Sequence, residues 1–153
     1  MNALELKIPP PIVALLLASA MWGISLVTPL LEVFSPARIA VAVTIALLGA
    51  GFDMAAVIMF FRRRTTVNPM KPAKTSSLVV TGVYTVTRNP MYVGLLFFLV
   101  AWTVFLSSVW ALIGPLAFVL YLNRFQIKPE ERILLEKYGA RYTAYKSNVR
   151  RWL

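Results

Sequence analysis

The sequence predicts an all-α integral membrane protein with about four transmembrane helices, a C-terminal helical hairpin and amphipathic cytoplasmic tail helices. Three observations carry that expectation. Of the 153 residues, 59% are hydrophobic, and the mean hydropathy is +0.71, more apolar surface than so small a globule can bury. Four segments, 11–31, 39–61, 90–106 and 109–122, approach the ~20 residues that cross a ~30 Å hydrocarbon core. The charges, 16 Lys and Arg against 6 Asp and Glu, gather mostly between and beyond those segments.

The first segment contains Ala18-Ser19-Ala20, which resembles a signal-peptidase site. The residues before it carry no net positive side-chain charge and the apolar run continues past it, so a retained helix is expected. The second segment carries a single charged residue, Asp53. The third and fourth are joined only by Ser107-Ser108, which predicts a tight antiparallel hairpin, and Pro115 is expected to kink the short fourth segment. Between the second and third lie Arg62, Arg63, Arg64, Lys71, Lys74 and Arg88 with no acid among them, and the tail beyond Leu122 carries eight basic and three acidic residues. The opposite connections offer only Arg38 and Glu32. The loop 62–89, the tail 123–153 and both termini are therefore expected in the cytoplasm. The whole chain reads as one membrane domain.

Within the loop, Ser77-Leu78-Val79-Val80 reads as a short extended or interfacial piece. The tail reads as two surface helices. Pro129-Glu130-Glu131 opens the first, with acids where the helix dipole favours them, and Gly139 closes it. Tyr142, Tyr145, Val149 and Trp152 fall on a single face of the second.

Several chemistries are excluded. The chain has no Cys and no His, which removes disulfides, thiolate catalysis and imidazole bases or ligands, and no metal site is expected. Gly49-Ala50-Gly51 lies mid-span without the third glycine of a dinucleotide fingerprint. The basic residues flank spans, so topology accounts for them without nucleic acid.

What remains is Gly82-Val83-Tyr84-Thr85-Val86-Thr87-Arg88-Asn89-Pro90-Met91-Tyr92-Val93-Gly94, where a basic loop enters an apolar run. Asn-Pro signals a helix start, with Asn89 as cap and Pro90 at the first helical position. Arg88 stands against the dipole there, which points either to an anionic guest shared with the helix N–H groups or to a topology-fixing flank. The hairpin brings Tyr84, Arg88, Asn89, Tyr92 and Gly94 to the same membrane face as Glu130 and Glu131. Arginine, paired carboxylates and tyrosines suit a zwitterionic small molecule, while dipole compensation, interface anchoring and helix packing are the plainer readings of the same residues. Asp53 lies about 13 Å below the cytoplasmic end of its segment at ~1.5 Å per residue. It is expected either to meet a substrate head group or Arg124, or to be satisfied by an interhelical hydrogen bond or by protonation.

The pattern of Gly82-Val83-Tyr84, Arg88-Asn89-Pro90-Met91-Tyr92-Val93-Gly94 and Glu130-Glu131-Arg132-Ile133-Leu134 resembles the isoprenylcysteine carboxyl methyltransferase and phospholipid N-methyltransferase family. Thr65-Thr66-Val67-Asn68-Pro69 and the ending Tyr142, Tyr145, Val149, Arg150-Arg151-Trp152 are similar to its bacterial branch, which implies a bacterial inner membrane as the location. The resemblance implies a membrane methyltransferase that takes S-adenosylmethionine from the cytoplasm and methylates a lipophilic acceptor, a prenylcysteine-like carboxylate or a lipid amine. It implies Tyr84, Arg88, Asn89, Pro90, Tyr92, Gly94, Glu130 and Glu131 on the cofactor side, with Arg88 and Glu131 at the reaction centre. Asp53 and Arg124 are expected on the acceptor side. Asn89 stands where the carboxyl methyltransferases carry histidine, so a mechanism needing that imidazole is excluded. Two rival readings are an NADPH-dependent membrane reductase and a non-catalytic lipid-binding or scaffold protein.

Overall fold

The computed structural model describes residues 5–32, 35–62 and 78–153. Thr65 to Pro69, the cations Arg63, Arg64, Lys71 and Lys74, and Ser77 lie outside the described residues.

Every regular element among the described residues is helical. The helices are α1 (Pro10–Val27), α2 (Ser35–Arg62), α3 (Pro90–Leu106), α4 (Ile113–Leu122) and α5 (Lys128–Asn148). Short 3₁₀ turns cover Gly82–Thr85 and Val109–Leu112, and a π turn, Asn123–Ile127, joins α4 to α5. Among the described residues, three helical stretches are long and apolar enough to cross a membrane: Pro10–Val27, Ser35–Met59 and the continuous run Val109–Asn148. The apolar part of that last run ends at Leu122, and α3 is a shorter apolar helix of 17 residues.

α1 begins on Pro10, whose missing N–H costs nothing at the first helical position. It ends at Val27, earlier than the sequence predicts, because residues 28–32 turn to pair with the Ser107-Ser108 connection. There Leu31 N–H donates to the Ser107 carbonyl (2.7 Å) and Ser107 Oγ donates back to the Leu31 carbonyl (2.8 Å). Ser107 itself adopts the left-handed conformation, φ 56°, that closes α3. Pro115 falls in the first turn of α4, where it breaks no internal hydrogen bond, so the expected kink is not there. The irregularity lies instead at the π turn, just ahead of Pro129. Proline cannot donate to the carbonyl four residues back, and that carbonyl, on Phe125, accepts the Leu6 N–H at 3.0 Å.

α2 packs chiefly on α3, and α1 on α3 and α4. The α2–α3 approach is close because it is lined by glycines: a Cβ on Gly49 would lie 2.8 Å from the Gly94 carbonyl oxygen. Gly49 is thus a helix-crossing residue. The main core gathers Val13, Met21, Tyr92, Leu99, Phe118 and Leu122 between α1, α3 and α4. Outward, Leu15, Leu16, Leu26, Leu47, Met54, Leu116 and Leu120 are exposed, an apolar surface suited to lipid.

The tail departs from expectation beyond Gly139. That residue (φ 49°, ψ −126°) breaks α5 into two arms, as its sequence position suggests. The second arm stops at Asn148, and Val149 is extended. Val149 and Trp152 therefore do not continue the helical face of Tyr142 and Tyr145; they belong to a strap, residues 149–153, that folds back over the 82–89 segment. The N-terminal turn, that segment, the π turn and the strap meet at one end of the bundle.

Candidate functional site

Gly82 opens the site segment with φ +63°, and a Cβ there would strike Met59 Sδ at 2.7 Å. Both demands explain glycine. The turn it starts buries Tyr84 against Ala56 and Val79, while the Tyr84 carbonyl accepts a hydrogen bond from the Tyr145 hydroxyl at 2.7 Å. Leu78 and Val79 are buried, so this piece packs inward.

Thr87, Arg88 and Asn89 then bind the strap. Arg88 N–H donates to the Arg150 carbonyl (2.9 Å), while Thr87 Oγ1 (2.9 Å) and Asn89 Nδ2 (3.0 Å) both donate to the Arg151 carbonyl. Asn89 therefore does not cap α3 with its side chain, as the sequence predicts. Its carbonyl accepts the Tyr92 and Val93 N–H groups, while its amide ties the helix start to the chain's end. Trp152 Nε1 completes the strap by donating to Asn123 Oδ1 at 3.1 Å.

Beneath the strap, Glu131 is buried and surrounded by cations. Arg151 forks onto it, Nε to Oε1 and Nη2 to Oε2, both at 2.8 Å. Arg88 Nη2 lies 3.1 Å from Oε1 and Lys146 Nζ 3.9 Å from Oε2. Burial raises the pKa of this carboxyl, but the Arg151 hydrogen bonds and the charges of Arg88, Arg151 and Lys146 outweigh it and hold Glu131 below its ordinary value. Part of the anion expected beside Arg88 is thus supplied by the chain itself. Arg88 is not exhausted by it. Its Nε and Nη1 are buried and have no hydrogen-bond partner among the described residues. Buried guanidinium donors left unmade are costly, so a ligand acceptor is the natural complement.

Glu130 faces a different environment. Its Oε1 accepts the Tyr92 hydroxyl (2.5 Å) and Gln126 Nε2 (2.6 Å), and it forms no ion pair among the described residues. Burial is the main effect and pushes its carboxyl up to about 7, against the two hydrogen bonds that lower it. Burial likewise raises the Tyr84 hydroxyl, and Tyr142 is raised to about 12, so both are neutral donors at physiological pH.

The structure brings Arg88, Asn89, Pro90, Tyr92, Glu130 and Glu131 together, with Tyr84 tied in through Tyr145. Gly94 and Asp53 form a separate contact: a Cβ on Gly94 would fall 2.2 Å from Asp53 Oδ1, so the carboxylate of α2 occupies the space glycine leaves on α3. Asp53 Oδ1 is buried with no hydrogen-bond partner among the described residues, so the interhelical hydrogen bond considered for it is not formed there. Nor does Arg124 pair with Asp53. It lies 3.7 Å from Glu5 instead, because the N-terminal turn docks on the π turn. Arg151, Lys146, Gln126 and Thr87 escaped sequence reasoning as site residues. Only Arg151 gave a signal, as part of the terminal Arg-Arg-Trp.

A helical bundle with three membrane-length apolar stretches and a buried arginine–carboxylate site at one end defines a class of membrane protein with a polar head. The model of the phospholipid methyltransferase family matches residues 37–141, and the chain belongs to that family. The family implies methyltransferase activity at a membrane. The chain is also 48% identical over 63 residues to an uncharacterized protein of Haemophilus influenzae, a match covering 41% of this chain and 100% of the relative. No solved structure matches.

Proposed function

We propose that this protein is an S-adenosylmethionine-dependent methyltransferase acting on a lipophilic acceptor at the cytoplasmic membrane face. In this reading the four apolar segments all span, α3 and α4 form a transmembrane hairpin, and both termini lie in the cytoplasm. The observation that carries it is the pair of unsatisfied Arg88 donors, Nε and Nη1, buried at the head of α3. They lie on different edges of the guanidinium, so each offers a separate charge-assisted hydrogen bond to a ligand oxygen, such as one on the carboxylate of S-adenosylmethionine.

The surrounding residues fit that cofactor. Arg88 takes its carboxylate, with Glu131 and Arg151 fixing the guanidinium in place. Glu130, whose two hydrogen bonds both end on Oε1, keeps Oε2 for ribose hydroxyls or an ammonium. Tyr84, Asn89 and Pro90 shape the wall, Tyr92 orients Glu130, and Gly94 serves the site indirectly by letting Asp53 approach α3. When bound, the cofactor supplies an electrophilic methyl group on a sulfonium. The charge diminishes during transfer, so the residues contribute chiefly position and exclusion of water. Asp53, packed against Gly94, is the acceptor-side residue; Arg124, expected there from the sequence, is engaged with Glu5 instead. A carboxylate acceptor needs no base; an amine must first lose a proton, which Glu130 is placed to take.

The test is label transfer. Purified protein in bilayer discs is given methyl-labelled S-adenosylmethionine and a total lipid extract. Label in the organic phase, lost in Arg88→Gln, is expected; no transfer by folded protein to any extract would return the chain to the scaffold reading.

A further inference from the structure

On the outer side of Glu131 the structure holds a cleft of about 340 Å³, where the N-terminal turn, the α4–α5 junction and the strap converge. Arg124, Lys128 and Arg132 enter it from successive turns of one helical face, spaced four residues apart. Lys146 and Arg151 line it with them. Two carboxylates are present, and both are already engaged: Glu5 by Arg132 Nη2 at 2.5 Å and Arg124 Nη1 at 3.7 Å, Glu131 by the fork of Arg151. Five cations against two acids leave a net charge of +3. The cations are also reachable, with side chains of Arg124 51%, Arg132 55% and Lys146 45% exposed. Lys128 has no ion pair among the described residues.

Position selects the ligand. Arg124 is the first charge after the apolar run that ends at Leu122, so the cleft sits where hydrocarbon gives way to head groups. Exposed leucines of α4, Leu116 and Leu120, lead along the same run from lipid to Arg124. We infer that this cleft binds the phosphate of an anionic head group, with acyl chains lying on α4. Guanidinium groups fork onto phosphate oxygens, and a basic pocket at the membrane surface concentrates anionic lipid. The bound lipid is an anchor for the α4–α5 junction and the strap, separate from the methyl acceptor, and it borders the proposed cofactor site through Glu131 and Arg151.

Delipidated protein in a non-ionic detergent is incubated with equal phosphatidylglycerol and phosphatidylcholine, and retained lipid is counted by native mass spectrometry. Phosphatidylglycerol is expected to be retained at least about fivefold over phosphatidylcholine. Lys128→Gln, which disturbs no ion pair, and Arg132→Gln should each erase most of that preference, whereas Arg141→Gln, an exposed cation outside the cleft, should leave it. Displacement by millimolar inorganic phosphate but not by chloride supports phosphate recognition and identifies a soluble phosphate as a second source. Equal retention of the two lipids overturns the inference. So does an equal effect of Arg141→Gln, which would mean net charge alone, or displacement by S-adenosylhomocysteine, which would make the cleft part of the cofactor site.

Discussion

Glu130 and Glu131 are adjacent in sequence yet occupy opposite electrostatic worlds. Glu131 lies among Arg88, Arg151 and Lys146 and is held as a carboxylate; Glu130 lies among Tyr92 and Gln126 and is pushed up to about 7. The difference teaches that an acidic pair after a span is two devices. One is saturated and organises the arginine. The other accepts hydrogen bonds from neutral donors among the described residues, and its carboxyl is pushed up to about 7.

The largest expected effect comes from attacking the saturated side. Arg88→Gln removes two charge-assisted donors at about 1.5–3 kcal/mol each, so S-adenosylhomocysteine binding should weaken at least about 100-fold. Glu131 keeps Arg151, so the protein should still fold, as a retained monodisperse elution profile would show. Arg151→Gln should be the more damaging to structure, since it strips the fork from a buried carboxylate. Faster amide exchange across residues 149–153 and the 82–89 segment would register the loosened strap.

Next comes pH. Glu131, lowered in the folded state, contributes stability that is present above its ordinary carboxyl range and lost as pH falls through its folded value. Glu130 acts in the reverse sense: raised from 4.5 to about 7, it makes stability decline as pH climbs between those values. Melting curves from about pH 2 to about pH 8 should lose the upper decline in Glu130→Gln and the acid loss in Glu131→Gln. Identical profiles for the two variants would erase the distinction.

The smallest effects separate two glycines in the membrane region. Gly94→Ala drives a methyl into the short, rigid Asp53 carboxylate and should cost about 1–3 kcal/mol, largely relieved by Asp53→Ala in a double-mutant cycle. Gly114→Ala drives a methyl against Sδ and Cγ of the buried Met21, whose unbranched side chain can re-settle more readily than a carboxylate, and should cost about 1 kcal/mol by thermal shift.

Much of this arrangement was legible in the sequence. Hydropathy placed the helical segments, and Arg88-Asn89-Pro90 with Glu130-Glu131 marked residues that do meet, because local motif chemistry and the shortness of the Ser107-Ser108 link constrain both. The strap was not legible. Val149 and Trp152 fit a helical period with Tyr142 and Tyr145, yet backbone carbonyls of Arg150 and Arg151 find better partners in Arg88, Thr87 and Asn89, more than 60 residues away in sequence. Tertiary hydrogen bonds carry no periodic trace. Arg124 failed as a partner for Asp53 for the same reason: the acid it finds, Glu5, is delivered by the Leu6 contact with a carbonyl that Pro129 leaves free.

The most direct measurement is calorimetric titration of the detergent-solubilised protein with S-adenosylhomocysteine, NADPH serving as control ligand. Saturable micromolar binding to the wild type, lost in Arg88→Gln and absent for NADPH, is the expected result. Folded wild-type protein that binds neither ligand, or that binds S-adenosylhomocysteine equally well without the Arg88 guanidinium, would contradict the account.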